Sequence, residues 1–131
     1  MKYFTIKELS RSHTAEQRGI DNTAPSTQQM ALKALVEKIL DPLREAWGRP
    51  IFVNSGYRSP ALNKAVGGVA TSHHLRGMAA DITTGNATDN RRLYQLAQKL
   101  NLPYTQLIGK KYDFAWLHIG YDPSDPRHQS L

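Results

Sequence analysis

The chain has 131 residues, enough for one hydrophobic core but not for two independent ones, so a single domain over 1–131 is expected. Apolar residues at 40% and charged residues at 21% exclude a disordered or collagen-like chain, and the absence of cysteine excludes disulfides, thiol catalysis and Cys-based zinc sites. The net charge of +6 invites a nucleic-acid reading, but it is spread as +2 in residues 1–50, +2 in 51–81 and +2 in 82–131, with no basic arm and no recognisable reading motif.

The clearest helical pattern covers residues 26–47. Leu32, Leu35, Val36, Ile39, Leu40, Leu43, Ala46 and Trp47 recur at three- and four-residue spacing, Ser26 or Thr27 is placed to cap, and Gly48 to stop. Pro42 predicts a kink or division near residue 41, with one face buried throughout. Ile51-Phe52-Val53 reads as a short strand that runs into the abrupt polar turn Asn54-Ser55-Gly56-Tyr57-Arg58-Ser59-Pro60. A short helix over 61–66 ends at Gly67-Gly68, and a loop through Ser72 enters a small-residue strand over 78–82.

A second amphipathic helix, capped near Thr88 or Asp89, is expected to bury Leu93, Leu96, Ala97 and Leu100. Strands at about 106–108 and 114–120 follow, joined by a polar turn containing Lys110-Lys111-Tyr112-Asp113. Helices packed with a small antiparallel sheet make the expected class α+β.

Without cysteine, metal chemistry falls to His, Asp and Glu. His74 and Asp81 have six residues between them, across a turn that leads into a strand, and an imidazole with a carboxylate is half of a tetrahedral shell. His118 is the best third ligand: it interrupts the apolar strand Trp116-Leu117-His118-Ile119, where an unpartnered imidazole is costly. Spacing alone leaves the plainer readings open, a surface His–Asp pair and a satisfied core histidine.

The surrounding segments sharpen the choice. Ser72-His73-His74-Leu75-Arg76-Gly77-Met78-Ala79-Ala80-Asp81 fits S-x-H-x-x-G-x-A-x-D; Ser55-Gly56-Tyr57-Arg58-Ser59 precedes it and Trp116-Leu117-His118 follows. That ordered trio resembles the D-alanyl-D-alanine carboxypeptidase-like zinc peptidases, and most closely their small phage-lysin and bacterial branch. The likeness extends from Phe4-Thr5-Ile6-Lys7-Glu8-Leu9 through Pro42-Leu43-Arg44-Glu45 to the Trp-x-His strand. It implies the α+β metallopeptidase fold shared with hedgehog signalling domains, one Zn2+ held by His74, Asp81 and His118, and cleavage of peptide bonds in peptidoglycan stem peptides.

Three protein ligands leave a fourth zinc position to water, whose pKa falls to about 7 and which becomes the expected nucleophile. Arg58 matches the family arginine that pairs with substrate carboxylate or the oxyanion. Ser72 is expected to hydrogen-bond within the ligand loop or to substrate, or only to cap the turn, and Trp116, on the face of His118, to serve as cleft wall or core filler. His73, His13 and His128 are expected to be exposed. The family's carboxylate three residues before the last His is absent: Ala115 stands there, every Glu lies at or before Glu45, and Gly109-Lys110-Lys111 replaces the acidic residue expected after Gln106-Leu107-Ile108. The nearest base is Asp113, which ideal alternation places on the opposite face from His118 unless a bulge or turn redirects it.

Two readings of the function remain open at this point. One is a zinc peptidoglycan peptidase, carboxypeptidase or endopeptidase; the other is a catalytically weak or inactive zinc-containing module of phage origin that binds cell wall. A nucleic-acid partner is not expected, and a monomer is. No apolar run approaches the ~20 residues of a membrane span, and Met1-Lys2-Tyr3-Phe4-Thr5 leads into polar residues rather than an apolar signal stretch. The expected location is therefore cytoplasmic as synthesised, with action on the wall after release.

Overall fold

A computed structural model describes residues 1–131. Alternation along its two central strands decides what each face of the sheet carries. In β2 (Ala79–Thr83) and β4 (Leu117–Gly120), Ala80 stands opposite Ile119 and Ile82 opposite Leu117, and all four are buried in one apolar cluster. The intervening pair, Asp81 opposite His118, belongs to the other face.

With β1 (Phe52–Ser55), β3 (Gln106–Ile108) and β5 (Gln129–Ser130), the sheet has the order β1-β2-β4-β3-β5. The first four strands pair antiparallel, in accord with the expected α+β class; β5, two residues long and without a sequence signal, adds in parallel to β3. A bulge between Val53 and Ser55 places Ser55 against Asp81 at the end of β1.

The covering layer is a helical run built from α3 (Ser26–Leu35), a π turn (Val36–Leu40) and α4 (Asp41–Trp47), joined by α6 (Ala87–Lys99). Leu32, Leu35, Val36, Ile39, Leu40 and Leu43 are buried with Leu93, Tyr94 and Ala97 of α6 against the sheet. Short helices α1 (Ile6–Ser10), α2 (His13–Arg18) and α5 (Pro60–Ala65) complete the chain.

Several boundaries differ from expectation, each for a local reason. The long helix does not divide at Pro42: the Asp41 amide reaches back to the Val36 carbonyl, and the widened turn accommodates a ring that would otherwise collide with the preceding turn. Its N-cap is Pro25 rather than Ser26 or Thr27, and the Gln29 side-chain amide donates to the Ala24 carbonyl (2.8 Å) at that end. Asn86, not Thr88 or Asp89, caps α6, accepting from the Asp89 amide at 2.8 Å. Leu100 falls past the end of α6 and is exposed. The last expected strand begins only at Leu117, because residues 110–112 form a 3-10 turn and Asp113 and Phe114 are left-handed, with φ of 51° and 58°.

That double left-handed turn costs on the order of 1–2 kcal/mol per residue, more easily borne by Asp than by Phe. Burial of Phe114 edge-on to Tyr94 (5.4 Å between ring centroids) offsets it, as does Asn90. This fully buried amide donates to the carbonyls of Phe114 (2.9 Å) and Ala115 (3.2 Å) and accepts from the Thr84 amide (2.7 Å). It thus ties the end of β2 and α6 to the turn that launches β4. Asn90→Ala leaves these groups unpaired and is expected to lower stability by about 2–4 kcal/mol in denaturant unfolding, against about 1 kcal/mol for removing the exposed cap with Asn86→Ala.

Candidate metal centre

Asp81 comes from mid-β2 and His118 from the facing position in β4, so strand pairing alone brings carboxylate and imidazole together: His118 Nδ1 lies 2.9 Å from Asp81 Oδ1. His74 arrives from a 3-10 turn (His73–Arg76) just before β2, and its Nε2 lies 3.5 Å from the same oxygen. One donor atom from each of the three lies within 4.8 Å of the others. Ligands about 2.0–2.1 Å from a tetrahedral zinc are about 3.3 Å apart, so the observed 2.9 and 3.5 Å bracket what the ion requires. Two imidazoles and one carboxylate also suit zinc chemically.

The structure fixes how each ligand points. His74 is buried, and its Nδ1 donates to the Gly56 carbonyl at 2.7 Å, which sets the tautomer and frees Nε2 for the centre. Gly56 has no substitute there, because a Cβ would lie 2.1 Å from the Leu9 carbonyl oxygen of α1. Ser72 accepts from the His74 amide at 3.2 Å and so caps the turn. Gly77 ends the turn with φ of 70°, and a Cβ there would press on the Gln28 carbonyl at 2.5 Å.

Asp81 is 16% exposed. Burial pushes its carboxyl up, but hydrogen bonds and charge from His118 and His74 outweigh that and hold it well below the usual carboxylate range. Its second oxygen faces Arg58, with Nη2 at 3.8 Å. The Arg58 guanidinium is held by Ser55 Oγ on Nε (3.3 Å) and Asn63 Oδ1 on Nη1 (3.3 Å), and its backbone amide donates to the His74 carbonyl at 3.1 Å. A cation locked beside a metal site is placed to attract negative charge.

Trp116 is half-buried outside the core cluster and stacks on Tyr112, with ring centroids 4.2 Å apart at 16°. Of its two expected places, the core is not the one it takes. Burial, and after it the charge of Asp81, push the Tyr112 phenol up, so the stacked pair lies within electrostatic reach of the ligands. Asp113 is exposed, and its carboxylate enters no hydrogen bond or ion pair; it is not in the three-residue cluster. Ala115, at the family's carboxylate position, is exposed too.

His73, expected outside, is half-buried, and burial, then Arg76, push its imidazole down. His13 is exposed as expected. So is His128, though it stacks on Tyr104 at 4.2 Å. The largest cavity, about 480 Å³ between α1, α2 and the segment 20–24, touches none of the ligands. Three residues of the site's support had not been singled out: Asn22, Asn63 and Asn90. Asn22 accepts from the Ser59 amide (2.7 Å) and donates to the Tyr57 carbonyl (3.0 Å), and so fixes the Arg58 turn from both sides.

The sequence model of the Peptidase M15 family matches residues 2–120, and so takes in every ligand and the Arg58 turn. The chain is a member of the M15 peptidase family. The family likeness read from the motifs is thereby borne out. Among curated proteins, a zinc D-Ala-D-Ala carboxypeptidase of Streptomyces albus G is 34% identical over 111 residues, which is 83% of this chain and 41% of that protein. The chain therefore spans about two-fifths of the length of that relative. No helix of this M15 member is long and apolar enough to cross a membrane.

Zinc titrated into metal-free protein is expected to bind one-to-one and to stabilise the fold by about 3–4 kcal/mol at 100 to 1,000 times Kd. His74→Ala and His118→Ala should each abolish that binding in calorimetry and flatten the thermal shift; unchanged stoichiometry in both variants contradicts the ligand assignment.

Proposed function

We propose that the chain is a zinc-dependent peptidoglycan peptidase that hydrolyses amide bonds of cell-wall stem peptides. The observation that carries this reading is the half-buried Asp81, one oxygen between His74 Nε2 and His118 Nδ1 and the other beside Arg58. M15 membership and the printed activity of the Streptomyces relative support it. Zinc bound there supplies Lewis-acid activation of water and of the scissile carbonyl.

The chain's own residues do the rest. Arg58 orients the substrate and stabilises the oxygen that gains charge as the carbonyl is attacked. Asp113 takes a proton from the attacking water and passes it to the nitrogen of the breaking C–N bond. The expectation that a turn would redirect Asp113 has support in the left-handed residues 113 and 114, which reverse the chain just ahead of β4. Ser72 and Trp116 line the substrate path, one on the ligand turn and the other stacked on Tyr112. The dispersed +6 charge favours retention on anionic wall polymers through long-range, salt-sensitive attraction, as suits a protein that acts on the wall after release.

A second reading, a weak or inactive cell-wall-binding module of phage origin, rests on Ala115, which cannot move protons. Purified stem peptides incubated with zinc-loaded protein and analysed by mass spectrometry decide between the two. Cleavage, with kcat lowered about 100-fold or more in Asp113→Asn, is the expected result. No cleavage under any metal condition favours the module, and full activity of Asp113→Asn removes only the proposed base.

A further inference from the structure

The even division of charge along the chain conceals a concentration of it in the fold. Only two adjacent Lys/Arg pairs occur in the sequence, Arg91-Arg92 and Lys110-Lys111. One member of each, Arg91 from α6 and Lys110 from the 3-10 turn ahead of β4, lines a cavity of about 290 Å³. Gln95 and Gln98 complete its polar wall, and Tyr94 with Phe114 forms its floor. Arg91, Gln95 and Gln98 recur at i, i+4 and i+7, so a single stripe of α6 supplies the wall.

Both cations are held in place yet unpaired. The Arg91 guanidinium lies 5.0 Å from the centroid of the Phe114 ring, and Lys110 Nζ lies 6.0 Å from that of Tyr94. Gly109 permits this approach, because a Cβ there would lie 2.8 Å from the Tyr94 ring and 3.0 Å from that of Phe114. Arg91 and Lys110 enter no hydrogen bond or ion pair, the side-chain amides of Gln95 and Gln98 are free, and no carboxylate lines the cavity. Asp113, in the same turn as Lys110, pairs with neither cation. Two like charges facing one small space without a counter-charge attract an anion.

The walls narrow which anion fits. Tyr94 and Phe114 are only 2% and 8% exposed, and the cations lie over their rings, so no aromatic face is open for the base stacking that a single-stranded nucleic acid uses. The forked donors of Arg91 and the point charge of Lys110 match phosphate oxygens, and the two amides match hydroxyl groups. A volume just under the roughly 300–1,000 Å³ of pockets that enclose drug-sized ligands holds one such unit. Lys99 and Lys111, exposed and unpaired, follow Gln98 and Lys110 in the chain, so successive phosphates of a polymer meet further cations.

We infer that this cavity is a subsite for a polyol-phosphate chain of the cell wall, one phosphate held between Arg91 and Lys110 with Gln95 and Gln98 on the neighbouring hydroxyls. The wall as its setting rests on the peptidase reading above, whereas the binding chemistry does not, since no metal ligand lines the cavity. Retention on the wall then has a defined place on the protein in addition to diffuse attraction.

The test measures binding of the full chain, at one fixed salt concentration, to three oligomers of equal charge: poly(glycerol phosphate), poly-glutamate and a single-stranded oligonucleotide. Poly(glycerol phosphate) is expected to bind tightest, and the double variant Arg91→Gln/Lys110→Gln to weaken it about 10- to 100-fold. The control Lys7→Gln/Lys38→Gln removes the same net charge elsewhere and should weaken it no more than about 3-fold. All four side chains are exposed, and an unchanged unfolding midpoint confirms that each variant folds. Arg91→Lys/Lys110→Arg, which keeps both charges, should recover much of the affinity. Equal weakening by the first two double variants overturns the subsite in favour of diffuse charge. Equal affinity for poly-glutamate overturns the phosphate assignment, and tighter binding of the oligonucleotide overturns the wall polymer. None of these readouts needs cleavage, so a failed subsite leaves the peptidase reading intact, and a protein that cuts no stem peptide still decides the subsite.

Discussion

The register between β2 and β4 is the constraint on which the site depends. Asp81 and His118 face each other because Ala80 and Ile82 are matched with Ile119 and Leu117 in the core. A slip of one residue would turn Leu117 and Ile119 out of the core and carry His118 into it, at a cost of several buried apolar side chains. Apolar burial on one face thereby specifies a polar pair on the other. The same strand pair admits little bulk around the ligands, with Ala79 opposite Gly120 next to them.

The third ligand depends on a different kind of order. His74 lies on no strand, and its ring is aimed by the Gly56 carbonyl, which lies next to the Tyr57 amide bonded to Leu9 of α1 at 2.7 Å. The Arg58 amide returns to the His74 carbonyl, so the arginine turn and the histidine turn orient each other. Precision at the centre is thus inherited from backbone contacts whose geometry permits only glycine at position 56.

Much of this was legible in the residues. Strand alternation made Asp81 and His118 stand out as polar interruptions, the three-and-four spacing of residues 32–47 marked the covering helix, and the motif words joined His74 to both. What escaped notice has a common physical character. Asn22 and Asn90 act by bridging backbone groups of distant segments and Asn63 by joining the Arg58 guanidinium to the Val69 carbonyl, and an asparagine carries no periodicity that distinguishes such a bridge from an ordinary polar loop residue. The strand β5 is two residues long and is specified by its partner β3 rather than by its own composition. The displaced start of β4 follows from Phe114, whose burial overrides its aversion to a left-handed backbone. His73 is half-buried because a 3-10 turn, unlike an extended segment, does not send adjacent side chains to opposite sides.

The π turn before Pro42 has an effect beyond tolerating the ring. Each residue of an α-helix advances the side-chain direction by about 100°, so a turn widened by one residue resets the angular phase of everything after it. Leu43 is in the core at the phase the widened turn gives it. The helix is therefore two rigid rods joined at a fixed azimuth. Shortening the turn by one residue would keep both rods helical yet rotate the second out of the phase that buries Leu43 and that packs it beside α6.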